Sequence, residues 1–430
     1  MTNVARASVF VFLGKLGGNL GYFAAVLVLA RALGPADRGA IAYFTTVALM
    51  AAILSAGGLR EAASVFVARE PESRSAIVTN TLLAGFVLAS LAAVVVCGIL
   101  LALPGLHPAS LAHRDVLLIG AGIYAASLLN LGYSLSLGLS LFRQQAILQP
   151  LYVWTYAAAL VIAWLAWGLS VTSAAVIWTG GQLLGGILMT VLALRRMPPG
   201  RLDVALQRRT WKFGVRAWVG SLSTFLNFRI DQVIMGAISS NASLGVYAVA
   251  VNASEVELYV PQSVSNSLIP IIASTSEDER AMRTLRAFRL VFLLTAIGAA
   301  VAMIVGPFVL PLVFGDSFRP SVTPFLWLVP GGIGFVASSV FSAGLAASAS
   351  PGRSSVGPFV SLVVGFVLDF ALIPSHGAAG AAAAATAAFL TGGVAAAVVF
   401  ARTYDMTWRM FVPRREDAAG LVAALHRGRA

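Results

Sequence analysis

The chain has 430 residues, 59% of them hydrophobic and only 11% charged, with a formal net charge of +12 and a mean hydropathy of +0.88. Soluble domains carry roughly 25% charged residues, so this composition excludes a water-soluble protein and assigns the chain to a bilayer. The basic excess is almost all arginine; in this class it reads as membrane topology, not nucleic-acid binding.

Arg6, an apolar run and Ala30-Arg31-Ala32 together resemble a cleavable signal segment. Lys15 interrupts that run and a second span follows at once, so the first helix reads as uncleaved. Apolar segments near the length that crosses a bilayer, about 20 residues, are predicted near 8–30, 39–60, 76–103, 115–141, 145–168, 172–194, 212–238, 243–273, 287–313, 321–347, 354–373 and 378–401. Pro261, Pro270, Pro307, Pro311, Pro330 beside Gly331-Gly332, and Pro358 fall inside spans, where a missing amide permits a bend. The Ala- and Gly-rich run from Ala378 to Ala388 suits close helix packing in lipid. Trp164, Trp167, Trp211 and Trp408 sit near span ends, as interfacial aromatics do. The basic tail after Arg402 reads as a solvated or membrane-surface helix.

An even number of spans puts both termini on one side. With the N-terminus inside, only Arg31, Arg38, Arg114 and Arg319 of the 29 Lys and Arg residues fall in outer loops, and Lys15 and Arg229 fall within spans. The remainder lie on the cytoplasmic side, as the positive-inside rule requires. The sequence thus divides into an N-terminal six-helix bundle (1–194), a cytoplasmic basic linker (195–211), a second six-helix bundle (212–401) and a cytoplasmic tail (402–430). Six spans per half make any repeat a parallel one. A short echo supports this: Leu33-Gly34-Pro35 with Gly39 and Tyr43 faces Ile238-Ser239-Ser240 with Gly245 and Tyr247. The expected fold is an all-α integral membrane protein, with 12 transmembrane helices in two six-helix bundles related by a parallel pseudo-two-fold.

Little chemistry beyond transport is on offer. Gly14-Lys15 lacks the upstream glycine and the hydroxyl of a phosphate-binding loop. The outer loops are short and hold little besides Asp37, Arg114 and Asp316, so no enzyme is expected and no catalytic residue is assigned. Cys97, the single cysteine, lies in an apolar span, and His107, His113, His376 and His426 show no paired ligand spacing. No metal and no cofactor are expected. What remains is a set of ionisable groups inside spans, where a charge costs roughly 2.5–3.5 kcal/mol and so marks a cavity or a partner. Lys15 lies in the first span, Arg229 and Asp231 in the seventh, Glu255 and Glu257 in the eighth, and Asp369 in the eleventh. Arg229 and Asp231, two apart, point roughly 200° from one another on a helix.

Two readings of these charges stand together. In one, Arg229 and Glu255 form a structural pair across the hairpin that turns near residue 241. In the other, Lys15 and Arg229 line a shared cavity that attracts the phosphate of a lipid carrier. Asp231, Glu255 and Glu257 then balance charge or take up coupling protons, and Glu61 and Asp369 take span-end or packing roles.

The chain resembles polysaccharide flippases of the Wzx type, within the multidrug/oligosaccharidyl-lipid/polysaccharide exporter superfamily. The residues that carry the resemblance are Leu33-Gly34-Pro35 with Gly39, Asn227 to Gly236 in span seven, Gly245 to Ala250 and Leu268-Ile269-Pro270 in span eight, Leu312-Val313-Phe314-Gly315, and Ile373 to Ala381. The resemblance implies two bundles around a cavity that opens alternately to either side. It also implies a cargo of undecaprenyl-diphosphate-linked oligosaccharide, moved from the cytoplasmic to the outer leaflet of a bacterial cell membrane for surface polysaccharide assembly. Partners implied are that substrate, membrane lipid, and a glycan polymerase or glycosyltransferases, with no nucleic acid. Drug-exporting relatives carry an acid deep in an N-terminal helix, where this chain has Lys15, and lipid II flippases commonly have two further C-terminal helices. A cation-coupled drug antiporter of the same superfamily is the alternative.

Overall fold

The computed structural model describes residues 3–108, 110–259, 261–265, 276–346 and 351–412, and among them it is helical without a strand. Leu268-Ile269-Pro270 and the tail beyond residue 412, with His426, lie outside the described residues. The chain forms two compact units, Met1–Gly245 and Val246–Ala430.

In the first unit, α1 (Asn3–Ala56) is a single helical run broken at Gly34. Gly34 takes φ 70° and ψ 177°, a conformation that a Cβ forbids. Pro35, with its fixed φ, then starts a second arm. The first two predicted spans are therefore the arms of one kinked helix. After it comes α2 (Leu59–Arg69), which the sequence reading did not separate from the loop. Its buried Leu59, Ala62, Ala63 and Val67 lie on one helical face, while Arg60, Glu61 and Arg69 lower its hydropathy.

Four helices follow close to their expected bounds: α3 (Arg74–Ala102), α4 (His113–Gly138), α5 (Phe142–Trp167) and α6 (Val171–Arg196). Small residues set their spacing. Gly14, Gly17, Gly18 and Gly21 let α1 press on Ala146, Pro150, Gln149 and Trp154 of α5, and Gly132 lets α4 meet Thr190 of α6. Asp115 caps α4 by accepting from Ala112 N at 2.9 Å, and takes a further bond from Thr172 of α6 at 2.6 Å.

Helix α7 (Val204–Ile238) begins inside the stretch expected to be linker. The Asp203 carboxylate accepts from Leu206 N at 2.9 Å and caps the helix. Asn80 Nδ2 fixes the Asp203 carbonyl to α3 at 2.6 Å. Arg208, Arg209 and Lys212 reduce hydropathy but are good helix formers, so the helix starts before the apolar segment does. Along its length α7 runs antiparallel to the second arm of α1. Trp211 Nε1 donates to Gly57 O (2.6 Å), Trp218 Nε1 to Ile53 O (2.9 Å) and Thr46 Oγ1 to Gln232 Oε1 (2.9 Å).

The chain enters the second unit through α8 (Asn241–Ser254) and a tight 3₁₀ turn, Glu255–Leu258. Helix α9 (Glu277–Phe314) carries Pro307 and Pro311 within it. Next, α10 (Val322–Leu328) and α11 (Gly331–Ala346) meet at a 46° bend, where Pro330 supplies no amide to the helix. The last long helix, α12 (Val356–Thr403), breaks at Gly377 (φ 53°, ψ −127°). Pro358 sits in its first turn rather than mid-span, where a missing amide costs nothing.

An aromatic core joins α9, α11 and α12. Phe341 stacks on Phe288 at 4.5 Å, on Phe400 at 4.8 Å and on Phe411 at 5.3 Å between ring centroids. Arg289 Nε donates to Met410 O at 2.8 Å. The first part of the tail therefore packs on this unit instead of lying free at the membrane surface. Phe341→Ala is expected to cost about 3–5 kcal/mol, read as a lowered midpoint of thermal unfolding in detergent; an unchanged midpoint contradicts this core.

Among the described residues, seven helices are long and apolar enough to cross a membrane, or eight if the bent pair is one span, so the protein is multi-pass. Two of them, Gly14–Ala56 and Gly352–Thr403, run 43 and 52 residues, well beyond the roughly 20 that one crossing needs.

Candidate functional site

Lys15 and Arg229 both belong to the first unit. Gly14 faces α5 at Ala146, so Lys15, about 100° further round the helix, lies on the flank of that contact and is exposed. Arg229 is half-buried on α7, and its Nη1 donates to the Phe228 carbonyl at 2.9 Å. Asp231 is 6% exposed and accepts from Gln232 N at 2.6 Å. Gln232, through Thr46, ties this stretch of α7 to the second arm of α1. The seventh span thus carries a partly accessible cation and, two residues on, a buried carboxylate.

Glu255 and Glu257 belong to the second unit, on the 3₁₀ turn after α8. Glu255 is half-buried. Glu257 rests on Gly332 at the start of α11, where any Cβ would collide with its carboxyl group. Its Oε2 is buried without a hydrogen-bond partner. The carboxylate therefore sits against the α10–α11 bend. Asp369 is 2% exposed on α12.

One contact in the first unit is reciprocal. A Cβ on Gly39 would strike Asn241 O and Gly245 N, and a Cβ on Gly245 would strike Pro35 O and Gly39 N. The same four-residue step thus recurs on both sides, Pro35 to Gly39 and Asn241 to Gly245, with backbone against backbone. It falls on the residues of the sequence echo.

Two groups are more enclosed than the sequence suggested. Glu61 Oε2 on α2 has no hydrogen-bond partner, and Arg38, placed in an outer loop, is 4% exposed. The only signal for Arg38 was its position three residues after a helix-starting proline. Among the described residues no three His, Cys, Asp or Glu side chains gather as metal ligands.

A family model described as "Polysaccharide biosynthesis protein" matches residues 4–276. No curated protein sequence matches the chain. Among solved structures, the lipid II flippase MurJ in an inward closed conformation is 13% identical with a TM-score of 0.78, over 94% of this chain and 89% of that one. An inward-facing multidrug resistance MATE transporter of the MOP superfamily is 13% identical with a TM-score of 0.72, over 92% and 98%. A MOP superfamily transporter from Pyrococcus furiosus, described as having a binding pocket of reverse polarity, is 15% identical with a TM-score of 0.64, over 94% and 96%. At these identities the likeness is one of fold.

Proposed function

We propose, from the premise that this chain belongs to the polysaccharide biosynthesis protein family, that it translocates an undecaprenyl-diphosphate-linked oligosaccharide by alternating access. The cargo moves from the cytoplasmic to the outer leaflet of a bacterial cell membrane, and both termini are cytoplasmic. The observation that carries this reading is a pair of cations, Lys15 and Arg229, set within apolar helices of one unit. A diphosphate is the part of such a cargo that needs them, since charge-assisted hydrogen bonds to phosphate are short and strong.

Counting the arms of α1 and of α12 as separate crossings, and α10 with α11 as one broken crossing, brings the spans to twelve with α7 and the α8 region included. The reciprocal step at Gly39 and Gly245 supports two matched halves about an axis normal to the membrane. Glycosyltransferases and a glycan polymerase are the partners this role calls for. Cells depleted of the protein should lose surface polysaccharide and accumulate lipid-linked oligosaccharide in the inner leaflet. Normal surface polysaccharide after depletion would refute the proposal.

The second reading is a cation-coupled drug antiporter, favoured by the buried carboxyl of Glu257 and the shared fold of a multidrug transporter. We assign Glu257 to proton uptake in either case. Glu257→Gln keeps the shape and removes the ionisable group, so transport should fall about tenfold or more and lose its pH dependence. Loss of dye efflux with surface polysaccharide intact would favour the antiporter; transport that keeps its pH profile would remove Glu257 from coupling.

A further inference from the structure

Helix α7 begins with a segment, residues 204–216, whose side chains divide into three faces. Leu206, Thr210 and Gly214, each four residues from the last, are buried. Leu206 joins Ala63, Val67 and Leu135 in one apolar cluster, and a Cβ on Gly214 would strike Gly58 O and meet Ala62 of α2. Next round the helix come Val204, Trp211 and Val215, which share a face and are 70%, 39% and 39% exposed. Beyond them lie Arg208, Lys212 and Arg216, again four apart and all exposed. These three form no ion pair among the described residues. Glu70 is taken by Arg209, whose guanidinium also lies over the Phe66 ring at 5.7 Å. No Asp or Glu occurs between residues 204 and 216.

The helix is also longer than one crossing requires. It has 35 residues, and at about 1.5 Å per residue the roughly 30 Å hydrocarbon core takes up only about 20 of them. The surplus falls at the basic N-terminal end, because the apolar part is the C-terminal one. That end therefore emerges at the level of the lipid headgroups. The topology rule counts charges on one side of a membrane and does not require them on one flank of a helix. Cations at successive turns beside exposed apolar side chains are the pattern of a helix set against an anionic lipid surface. Trp211 is fixed at that boundary, since its Nε1 donates to Gly57 O at 2.6 Å.

We propose that this flank of α7 binds the headgroups of acidic phospholipids. Arg216 and Lys212 meet the phosphates, with Trp211 and Val215 against the first carbons of the acyl chains. Arg208, one turn further out, adds attraction across about a Debye length, roughly 10 Å at 0.1 M salt. The surface is separate from Lys15 and Arg229 and does not depend on the nature of the cargo.

The test is native mass spectrometry of the full chain in detergent, titrated with phosphatidylglycerol or phosphatidylcholine. Phosphatidylglycerol should be retained in preference, and less so as ionic strength rises. Replacing Arg208, Lys212 and Arg216 together by Gln should weaken its binding about 25- to 100-fold, near fivefold per charge. Replacing Arg195, Arg196 and Arg201 by Gln, which are also exposed, removes the same charge elsewhere and should leave the affinity almost unchanged. Equal retention of the two lipids by the unmodified protein, or equal losses in the two triple variants, would overturn the proposal. So would a preference for undecaprenyl diphosphate over phosphatidylglycerol that disappears with the α7 cations, since the flank would then belong to the cargo. Should the α7 triple variant not fold, Lys212→Gln and Arg216→Gln decide it, since unchanged retention in both would also overturn it.

Discussion

Replacing Arg229 with alanine should cut translocation of a lipid-linked oligosaccharide by about one to two orders of magnitude, with the protein still inserted and folded. The size follows from chemistry at the phosphate, where a hydrogen bond to a charged group contributes roughly 1.5–3 kcal/mol and each 1.4 kcal/mol is about tenfold. Arg229 is half-buried in an apolar helix, so its charge is less screened than one on the surface. Arg229→Lys keeps the charge but loses the planar fork that grips two oxygens, and should retain part of the activity. Lys15 is exposed and should matter less, with Lys15→Ala costing about tenfold or below. Transport of the unmodified protein should weaken as salt rises, whereas an apolar recognition site would show the opposite trend.

Gly39→Val should be nearly as damaging, for a different reason. At Gly39 and Gly245 the backbones approach so closely that any Cβ meets a carbonyl oxygen or an amide of the facing segment. Overpacking of this kind costs about 1–3 kcal/mol. On the proposed topology these two segments lie at the outer face, and a bulky side chain there should hold them apart. Under alternating access this shifts the population toward the outward-open form by about five- to 150-fold. Cysteine labels near the contact should then react faster from outside while net transport falls. Gly39→Val with normal transport and unchanged labelling would mean that the contact is ordinary packing.

Much of the fold was legible because apolar length is a local property. The spans expected at 76–103, 115–141, 145–168 and 172–194 differ from α3 to α6 by only a few residues at each end. Where polar residues ride on a helix, hydropathy misplaced its start. The basic first turns of α7 read as linker, and the amphipathic α2 was absorbed into a loop. Glycine breaks were harder still, since Gly34 and Gly377 interrupt helices that continue on both sides.

The site was less legible than the fold. That Lys15, Arg229, Asp231, Glu255 and Glu257 lie in or beside spans follows from the sequence; their surroundings do not. Whether a charged side chain is enclosed depends on which neighbouring helix faces it, and that is set by packing across distant segments. Arg38 is the clearest case, a residue of an expected outer loop that tertiary packing encloses. Glu257 is another, because its position against Gly332 depends on a bend 70 or so residues further on.

The most direct measurement of the central claim is leaflet exchange in proteoliposomes. Purified protein would be reconstituted with a fluorescent oligosaccharide on a polyprenyl diphosphate, and accessibility to an external glycan-cleaving enzyme followed in time. Exposure of the inner-leaflet pool should proceed with the unmodified protein and fall to the protein-free rate when Lys15 and Arg229 are both alanine. Equal exposure with and without those two cations, or none above the protein-free rate with the unmodified chain, would contradict the account.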